Sequence, residues 1–185
     1  MPIFDRNKNR EYERAARLLA EGQIEQAIDA LEAIIEKTPT HTNALTSLGV
    51  ALIQSLGKEN KDETVIEKAI SYLDQAAQTN PTDPVPVFNK AVCLRDLGRL
   101  EDALAGFDRV LEIEDRFALA ILHKAEINYE LENWEEAVDL ARLALIRDPG
   151  MASSMTWVKD AMEKAGLLDE DGNPIERPPN KPRMF

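Results

Sequence analysis

The residues that could carry out chemistry are few and lie far apart in the sequence. Cys93 is the single cysteine, which excludes an internal disulfide framework and a zinc site built from cysteines. The two histidines, His41 and His123, leave little for a histidine-based metal site or proton relay. Neither Cys93 nor the pair Ser153-Ser154 has a histidine at the spacing of a nucleophile motif. The sequence therefore offers no apparatus for nucleophilic catalysis.

Paired carboxylates and glycines fit structural roles as well. The acidic pairs Glu101-Asp102 and Glu135-Glu136 begin predicted helices, where the positive end of the helix dipole stabilises a carboxylate. The glycines are scattered singly, so there is no Gly-rich loop that could hold a phosphate. We therefore predict that the protein is not an enzyme and that it binds no cofactor or metal ion.

Composition limits the class of partner. The 185 residues include 22 Lys and Arg against 34 Asp and Glu, which gives a net charge of −12. A surface this acidic repels phosphate groups, so we expect no binding to nucleic acid or to an anionic membrane. No stretch approaches the roughly 18 consecutive apolar residues of a membrane span, and the first residues lack the apolar core of a secretory signal. We therefore expect a cytoplasmic protein.

Small residues recur at a fixed period along the chain. One set steps by 34, 42 and 34 residues and consists of Ala15, Gly49, Ala91 and Ala125. A second set, each member followed by Ile, Val or Leu, steps by 42, 34 and 34 residues and consists of Ala27, Ala69, Ala103 and Ala137. The period is therefore 34 residues, with an insertion of eight residues in the second unit. Each unit is predicted to form two amphipathic helices whose small residues let the two backbones approach closely.

This pattern resembles the tetratricopeptide repeat family, in which each repeat of 34 residues is a helix–turn–helix hairpin. The segment 97–111, LGRLEDALAGFDRVL, is a close match to the second half of such a repeat. The resemblance implies an all-α fold, a right-handed α-solenoid of four helical hairpins plus a C-terminal capping helix. We expect the array to occupy 1–168, with repeats at about 8–41, 42–83, 84–117 and 118–151 and the capping helix at 152–166.

The insertion, 57–64, lies inside the second repeat. It is polar throughout, so we expect it to protrude into solvent as a longer turn. Asp62 or Asn60, near the end of the insertion, is predicted to cap the N-terminus of an extended second helix.

A tail follows the array at 169–185. Its proline-rich, polar composition is typical of a segment without regular structure. Trp157 on the capping helix has no later repeat to cover it, and a large indole is expected to find a partner. We hypothesise that the tail docks there through its apolar residues Ile175, Met184 and Phe185.

The first helices of such repeats line a concave groove, and the residues that face it follow from the register. We predict a partner-binding groove with an apolar and aromatic centre, formed by Tyr12, Thr46, Val50, Phe88, Asn89, Val92, Arg95, Leu122, His123, Glu126 and Tyr129. The alternative is that the superhelix curls tightly and these side chains pack on one another. Carboxylates collect at the C-terminal end of the groove, so the expected partner is a peptide or helix of another protein with apolar anchors and basic residues.

Some members of the family hold a partner's C-terminal carboxylate with a clamp of Lys, Asn, Asn, Lys and Arg. In one frame the matching residues here are Tyr12, Ala16, Ser47, Val85 and Asn89. In the frame one repeat later they are Thr46, Val50, Asn89, Leu119 and His123, where a single asparagine coincides. The resemblance therefore does not support binding of that kind.

The first helix carries arginines on one face, at Arg6, Arg10, Arg14 and Arg17. Later repeats have mostly apolar residues in this register, facing the preceding repeat. The arginines are interpreted either as a solubilising N-terminal cap or as a basic docking edge in an acidic protein.

Together these features predict a non-enzymatic protein-interaction module or scaffold that binds its partner in the groove. The alternatives are a structural protein that associates with itself, through the basic first helix and an acidic surface, and an accessory or assembly subunit of an enzyme complex.

Overall fold

The structure is a computed structural model that describes residues 3–57 and 62–175, with side chains from residue 10 onwards. These residues form α-helices and one 3₁₀ helix, with no extended strand among them. The α-helices are α1 (Ile3–Ala20), α2 (Ile24–Lys37), α3 (Thr42–Leu56), α4 (Glu63–Thr79), α5 (Pro84–Asp96), α6 (Leu100–Ile113), α7 (Ala118–Glu130), α8 (Trp134–Arg147) and α9 (Val158–Lys164). The predicted all-α fold class is confirmed.

The chain divides into two compact units, Met1–Asp115 and Arg116–Phe185. In the first unit α1 packs against α2, α3 against α4 and α5 against α6, so that three hairpins follow one another. The hairpins are joined because α2 also packs against α3, and α4 against α5. In the second unit α7 and α8 form one hairpin, and α8 packs against α9.

The periodic small residues lie where the two helices of each hairpin meet. A Cβ atom built on Gly49 would lie 2.7 Å from Cγ of Leu73 and 2.9 Å from the carbonyl oxygen of Ala69, so the backbones of α3 and α4 nearly touch. The alanines of the two sets are all fully buried: Ala15, Ala27, Ala69, Ala91, Ala103, Ala125 and Ala137. The predicted role of these residues in close helix packing is therefore confirmed.

The end of the insertion caps α4 as predicted. The Asp62 carboxylate accepts hydrogen bonds from the backbone N–H of Thr64 at 2.9 Å and of Val65 at 3.4 Å. The Thr64 hydroxyl also donates to it, and this bond, together with the backbone bonds, lowers the pKa of Asp62. α4 has 17 residues whereas α2 and α6 have 14, so the second helix is extended. Asn60 and the rest of 58–61 lie outside the described residues.

The C-terminal cap differs from the single helix predicted over 152–166. A 3₁₀ helix, Pro149–Ser154, begins where the Asp148 carboxylate accepts from the backbone N–H of Gly150. The regular helix starts only at α9, after a break that places Met155 in the core at 6% exposure. The predicted single capping helix is therefore replaced by a 3₁₀ helix and a shorter α-helix.

Part of the predicted tail is ordered into a tight turn. The Asp169 carboxylate accepts from the backbone N–H groups of Asp171 at 3.0 Å and of Asn173 at 2.8 Å. These bonds lower the pKa of Asp169, the bond from Asn173 most strongly. The backbone N–H of Ile175 then donates to the carbonyl of Leu167, which closes the turn. Residues 169–175 thus form a hydrogen-bonded turn and no helix or strand, as expected for a segment without regular structure, and the remainder, 176–185, lies outside the described residues.

A cluster of aromatic rings and charges holds α9 on the fourth hairpin. The ring centroid of Tyr129 lies 5.2 Å from that of Trp134 and 5.0 Å from that of Trp157. The Tyr129 hydroxyl donates to the Asp160 carboxylate at 2.6 Å, and the Lys164 ammonium donates to the same group at 2.9 Å. Lys164 also lies 4.4 Å from the Trp134 ring centroid, within range of a cation–π interaction.

The indole of Trp157 therefore has a neighbour within its own unit. Its ring lies against Tyr129 of α7 and packs on the buried cluster of Val138, Ala161 and Leu167. Ile175 is 46% exposed, and Met184 and Phe185 lie outside the described residues. Docking of the tail on Trp157 stays a prediction.

The hydrogen bond from Tyr129 to Asp160 makes the stability of the second unit dependent on pH. This bond, and then the bond from Lys164, lowers the pKa of Asp160 in the folded protein. Its contribution is therefore complete above the ordinary aspartate pKa of about 3.9 and is lost as the pH falls through the lowered value. We expect Asp160→Asn to lower Tm at pH 7 and to lower it much less at pH 3, as measured by thermal unfolding.

Asp171→Asn serves as the control, because the Asp171 side chain is exposed in the C-terminal turn. A difference in Tm between wild type and Asp160→Asn that stays constant from pH 7 to pH 3 would contradict this assignment.

Candidate functional site

The first helices of the N-terminal unit lie side by side, since α1 contacts α3 and α3 contacts α5. We call the surface formed by α1, α3 and α5 the first-helix face. A pocket of about 260 Å³ opens on this face, and its lining includes four of the residues predicted for the groove, Tyr12, Thr46, Val50 and Asn89. Sequence register thus selected residues that the structure brings together.

Polar groups of the pocket are fixed by hydrogen bonds. The hydroxyls of Tyr12 and Ser47 lie 3.1 Å apart and share a hydrogen bond across α1 and α3. The side-chain amide of Asn89 donates to the carbonyl of Val85 at 2.9 Å. Asp83 accepts from the backbone N–H of Val85 at 2.9 Å and caps α5. The pocket therefore presents a held carboxylate beside oriented hydroxyl and amide groups.

The electrostatic character of the pocket follows from its lining. Asp83 is the charged side chain, and no Lys or Arg is found among the described residues that line it. Its apolar part comes from Leu19, Val50 and Val85, and Val85 is 45% exposed. Such a site suits a ligand with an apolar group next to a cation or a hydrogen-bond donor.

Five lining residues were absent from the predicted groove: Leu19, Asn43, Ser47, Asp83 and Val85. Val85 and Asn43 occupy the second position of their helices, and the predicted groove contained no residue from that position. The sequence signal that could have identified Val85 is an apolar residue directly after Pro84, the first residue of α5, where the side chain stays partly exposed.

Thr46 and the predicted groove residues of this unit outside the pocket are buried or half-buried. Thr46 is only 8% exposed, and its hydroxyl donates to the carbonyl of Thr42. Phe88 packs within its own hairpin, with its ring centroid 5.8 Å from that of Phe107. Val92 and Arg95 on the same helix are half-buried. Thr46 and Phe88 therefore serve packing at least as much as they serve a surface.

In the C-terminal unit the predicted row divides between core and surface. Leu122 is 5% exposed and belongs to the core, because α7 turns it towards packed neighbours rather than solvent. His123 and Glu126 are half-buried, and Nδ1 of His123 lies 3.3 Å from the Glu126 carboxylate. Tyr129 is engaged in the cluster with Trp134 and Trp157. The expectation that Leu122 is available as an anchor in the groove is therefore wrong.

The arginines of α1 occupy the predicted register. Arg10, Arg14 and Arg17 are exposed, and the side chain of Arg6 lies outside the described residues. Their equivalents one repeat later, Ala44, Leu48 and Ala51, are fully buried. The exposed arginines therefore occupy helix positions whose equivalents in the next repeat are buried in the core.

Cys93 is buried, and this burial raises the pKa of its thiol to about 12, so the reactive thiolate is scarce at neutral pH. Within 3–57 and 62–175 no three His, Cys, Asp or Glu side chains converge as a metal site would require. In the same ranges no helix has the length and apolar character needed to cross a bilayer.

Comparisons with known proteins agree with this architecture. Among curated proteins, the Hsp70-Hsp90 organizing protein of Triticum aestivum is 21% identical over 108 residues, which is 58% of this chain and 19% of that protein. The chain thus spans about a fifth of the length of that relative. Among solved structures, a thermophilic TPR protein of Thermus thermophilus matches with a TM-score of 0.71 at 21% identity, over 83% of this chain and 80% of that one. PilF of Pseudomonas aeruginosa matches with a TM-score of 0.74 at 15% identity, over 88% and 70% of the two chains.

Two sequence models of the same family match directly. Both are described as tetratricopeptide repeat, one over residues 9–58 and the other over residues 66–119. Together they cover more than half of the chain, and they include most of the three hairpins of the N-terminal unit. The chain belongs to the tetratricopeptide repeat family.

Proposed function

We propose that this protein is a non-enzymatic interaction module that binds a peptide or helical segment of a partner protein on its first-helix face. Tetratricopeptide repeats and the likeness to an Hsp70-Hsp90 organizing protein support a role in protein–protein interaction. A repeat array suits this role because its rigid hairpins present an extended surface without an induced change of fold.

The observation that carries the proposal is the pocket on the first-helix face. It gathers residues from three successive repeats into one concavity of about 260 Å³. Val50 and Val85 give it an apolar wall, while Asn89 and Ser47 give it oriented polar groups. This combination of apolar surface with few fixed polar groups is typical of sites that bind a ligand.

The charge of the pocket indicates the chemistry of the partner. The carboxylate of Asp83 attracts a Lys or Arg side chain and repels a carboxylate. A clamp for a C-terminal carboxylate needs Lys and Arg side chains. At the three positions of those cations this chain has the uncharged residues Tyr12, Val85 and Asn89. We therefore infer a partner segment that combines apolar anchors with basic residues.

Selection of binding segments from a random peptide phage library tests this proposal. We expect the enriched peptides to combine apolar residues with Lys or Arg. Val50→Lys should weaken a selected peptide at least about tenfold, because it adds bulk and a like charge at the pocket wall. Asp83→Asn keeps the helix cap and removes the charge, so it should weaken basic peptides severalfold. Fluorescence polarisation measures each affinity.

Gln78→Lys is the matched control, since Gln78 is exposed on α4 and is not in the pocket. It should leave the affinity unchanged. Peptides enriched in Asp and Glu, or equal affinity for wild type and a folded Val50→Lys variant, would refute the proposal.

A second candidate function is self-association through the basic edge of α1. The observation that favours it is the exposure of Arg10, Arg14 and Arg17 in the register where the next repeat buries its core. An interface of this kind would pair the arginines with an acidic surface of another copy and would weaken with salt.

Sedimentation velocity over a range of protein concentrations tests this second candidate. It predicts oligomers that dissociate as salt is raised and that are absent when Arg10, Arg14 and Arg17 are all replaced by Ser. A wild-type protein that stays monomeric at all concentrations would eliminate it.

A further inference from the structure

The cap at the start of α3 differs chemically from those of the next two first helices. Nδ1 of His41 accepts a hydrogen bond from the backbone N–H of Ala44 at 3.2 Å. The equivalent residue 42 positions later is Asp83, whose carboxylate caps α5. After 34 more residues it is Phe117, whose side chain makes no cap bond to α7. Since an imidazole changes its charge between about pH 5 and 8, the cap of α3 depends on a proton in that range.

The cap bond needs a neutral imidazole. Nδ1 accepts only while it carries no proton, because both ring nitrogens of an imidazolium are donors. Protonation of His41 would place a second N–H against that of Ala44 and a positive charge at the positive end of the α3 dipole. Ala44 has no exposed surface, so solvent does not replace the lost acceptor while this conformation persists. Protonation therefore disfavours the observed start of α3.

The ring of His41 also supports the pocket on the first-helix face. Its centroid lies 5.3 Å from that of Tyr12, and the two ring planes are inclined by 34°. The Tyr12 hydroxyl shares a hydrogen bond with the hydroxyl of Ser47 on α3. Both residues line the pocket, as do Asn43 and Thr46 near the start of α3. One imidazole thus contacts the α1 wall of the pocket and caps the helix that forms its α3 wall.

The elements around His41 supply no carboxylate that holds the protonated form. α3 has no charged residue, and α4 has none after Asp74. The Asp83 carboxylate before α5 accepts from the backbone of its own helix. Next to Tyr12 on α1 and at the end of α2 the charged residues are exposed, and they are Glu11, Glu13, Glu36 and Lys37. Glu11 pairs with Lys37 at 3.1 Å. Within the part of the chain that the structure describes, His41 forms no ion pair.

The Tyr12 ring acts in the opposite direction, because a cation is attracted to an aromatic face. This attraction does not restore the cap, since an imidazolium that turns Nδ1 away from Ala44 also changes its orientation against the tyrosine ring. Whether the imidazolium leaves Tyr12 or turns beside it, the contact that holds Tyr12 in the pocket wall changes with the proton.

We propose that His41 is a pH-sensitive cap of α3. In its neutral form it fixes the start of α3 and the Tyr12 ring in the wall of the pocket on the first-helix face, and on protonation it releases both. The pocket is therefore fully formed at neutral pH and loosens as the histidine gains a proton. It changes in this way whatever ligand it binds.

Hydrogen exchange of the ¹⁵N-labelled full chain, followed by NMR at about pH 7.5 and 5.5, tests the proposal. After correction for the intrinsic effect of pH, we expect the protection of the Ala44 amide to fall at least about fivefold at the lower pH. The amide signals of Tyr12 and Ser47 should shift with the same midpoint as the ring signals of His41.

His41→Asn keeps a cap acceptor that gains no proton, so it should remove these changes. Its Tm should also exceed that of wild type by about 2–4 °C more at pH 5.5 than at pH 7.5, because wild type alone loses its cap. His123→Asn is the matched control, since it removes the other histidine of the chain and should behave like wild type.

A histidine-free peptide selected on the first-helix face should bind wild type severalfold more weakly at pH 5.5 than at pH 7.5. His41→Asn should bind it equally at both. This expectation rests on the proposed function. If no peptide binds in the pocket while the protection of Ala44 still depends on His41, the proposed function fails and the pH-sensitive cap stands.

Three results would overturn the proposal. One is equal protection of Ala44 at both pH values, and another is the same pH dependence in wild type and His41→Asn. The third is a titration that moves the signals of His41 alone, because the imidazolium would then keep its place against Tyr12 and Ala44.

Discussion

The close approach of the two helices within each hairpin is the constraint on which the other features of the structure depend. At Gly49 even one methyl group would meet the backbone carbonyl of Ala69. Ala91 and Gly106 impose the same restriction between α5 and α6. Since these contacts occupy the centre of each hairpin, larger side chains must point towards neighbouring hairpins or towards solvent.

Two concavities of the N-terminal unit follow from this arrangement, the pocket on the first-helix face and a second one among α4, α5 and α6, beside Gly106. First helices placed side by side bring polar and apolar residues of three repeats to one face, where Asp83 and Val50 give it a negative and apolar character. The second helices differ more between repeats, because Tyr72 fills its interface and its counterpart 34 residues later, Gly106, cannot. The first-helix face therefore follows from the arrangement that all repeats share. The concavity beside Gly106 follows from a position at which the repeats differ.

Sequence periodicity predicted the hairpins because the small residues and the 34-residue step are local signals. It also placed Tyr12, Val50 and Asn89 on one face, since helical register decides that placement. It did not predict that Leu122 is buried or that Tyr129 hydrogen-bonds to Asp160, because both depend on segments distant in sequence. The break between the 3₁₀ helix and α9 was also missed, since the apolar spacing of this segment is that of one continuous helix. The concavity beside Gly106 becomes visible only when equivalent residues of successive interfaces are compared in space.

The free energy of unfolding of Gly49→Ala, from urea denaturation, tests the central constraint most directly. Helix propensity alone favours alanine over glycine by about 1 kcal/mol, and Ala33→Gly at an exposed helical site measures that preference in this protein. If close packing at Gly49 governs the hairpin, Gly49→Ala should instead destabilise the protein by about 1–3 kcal/mol. A gain in stability of the size that Ala33→Gly loses would contradict the account.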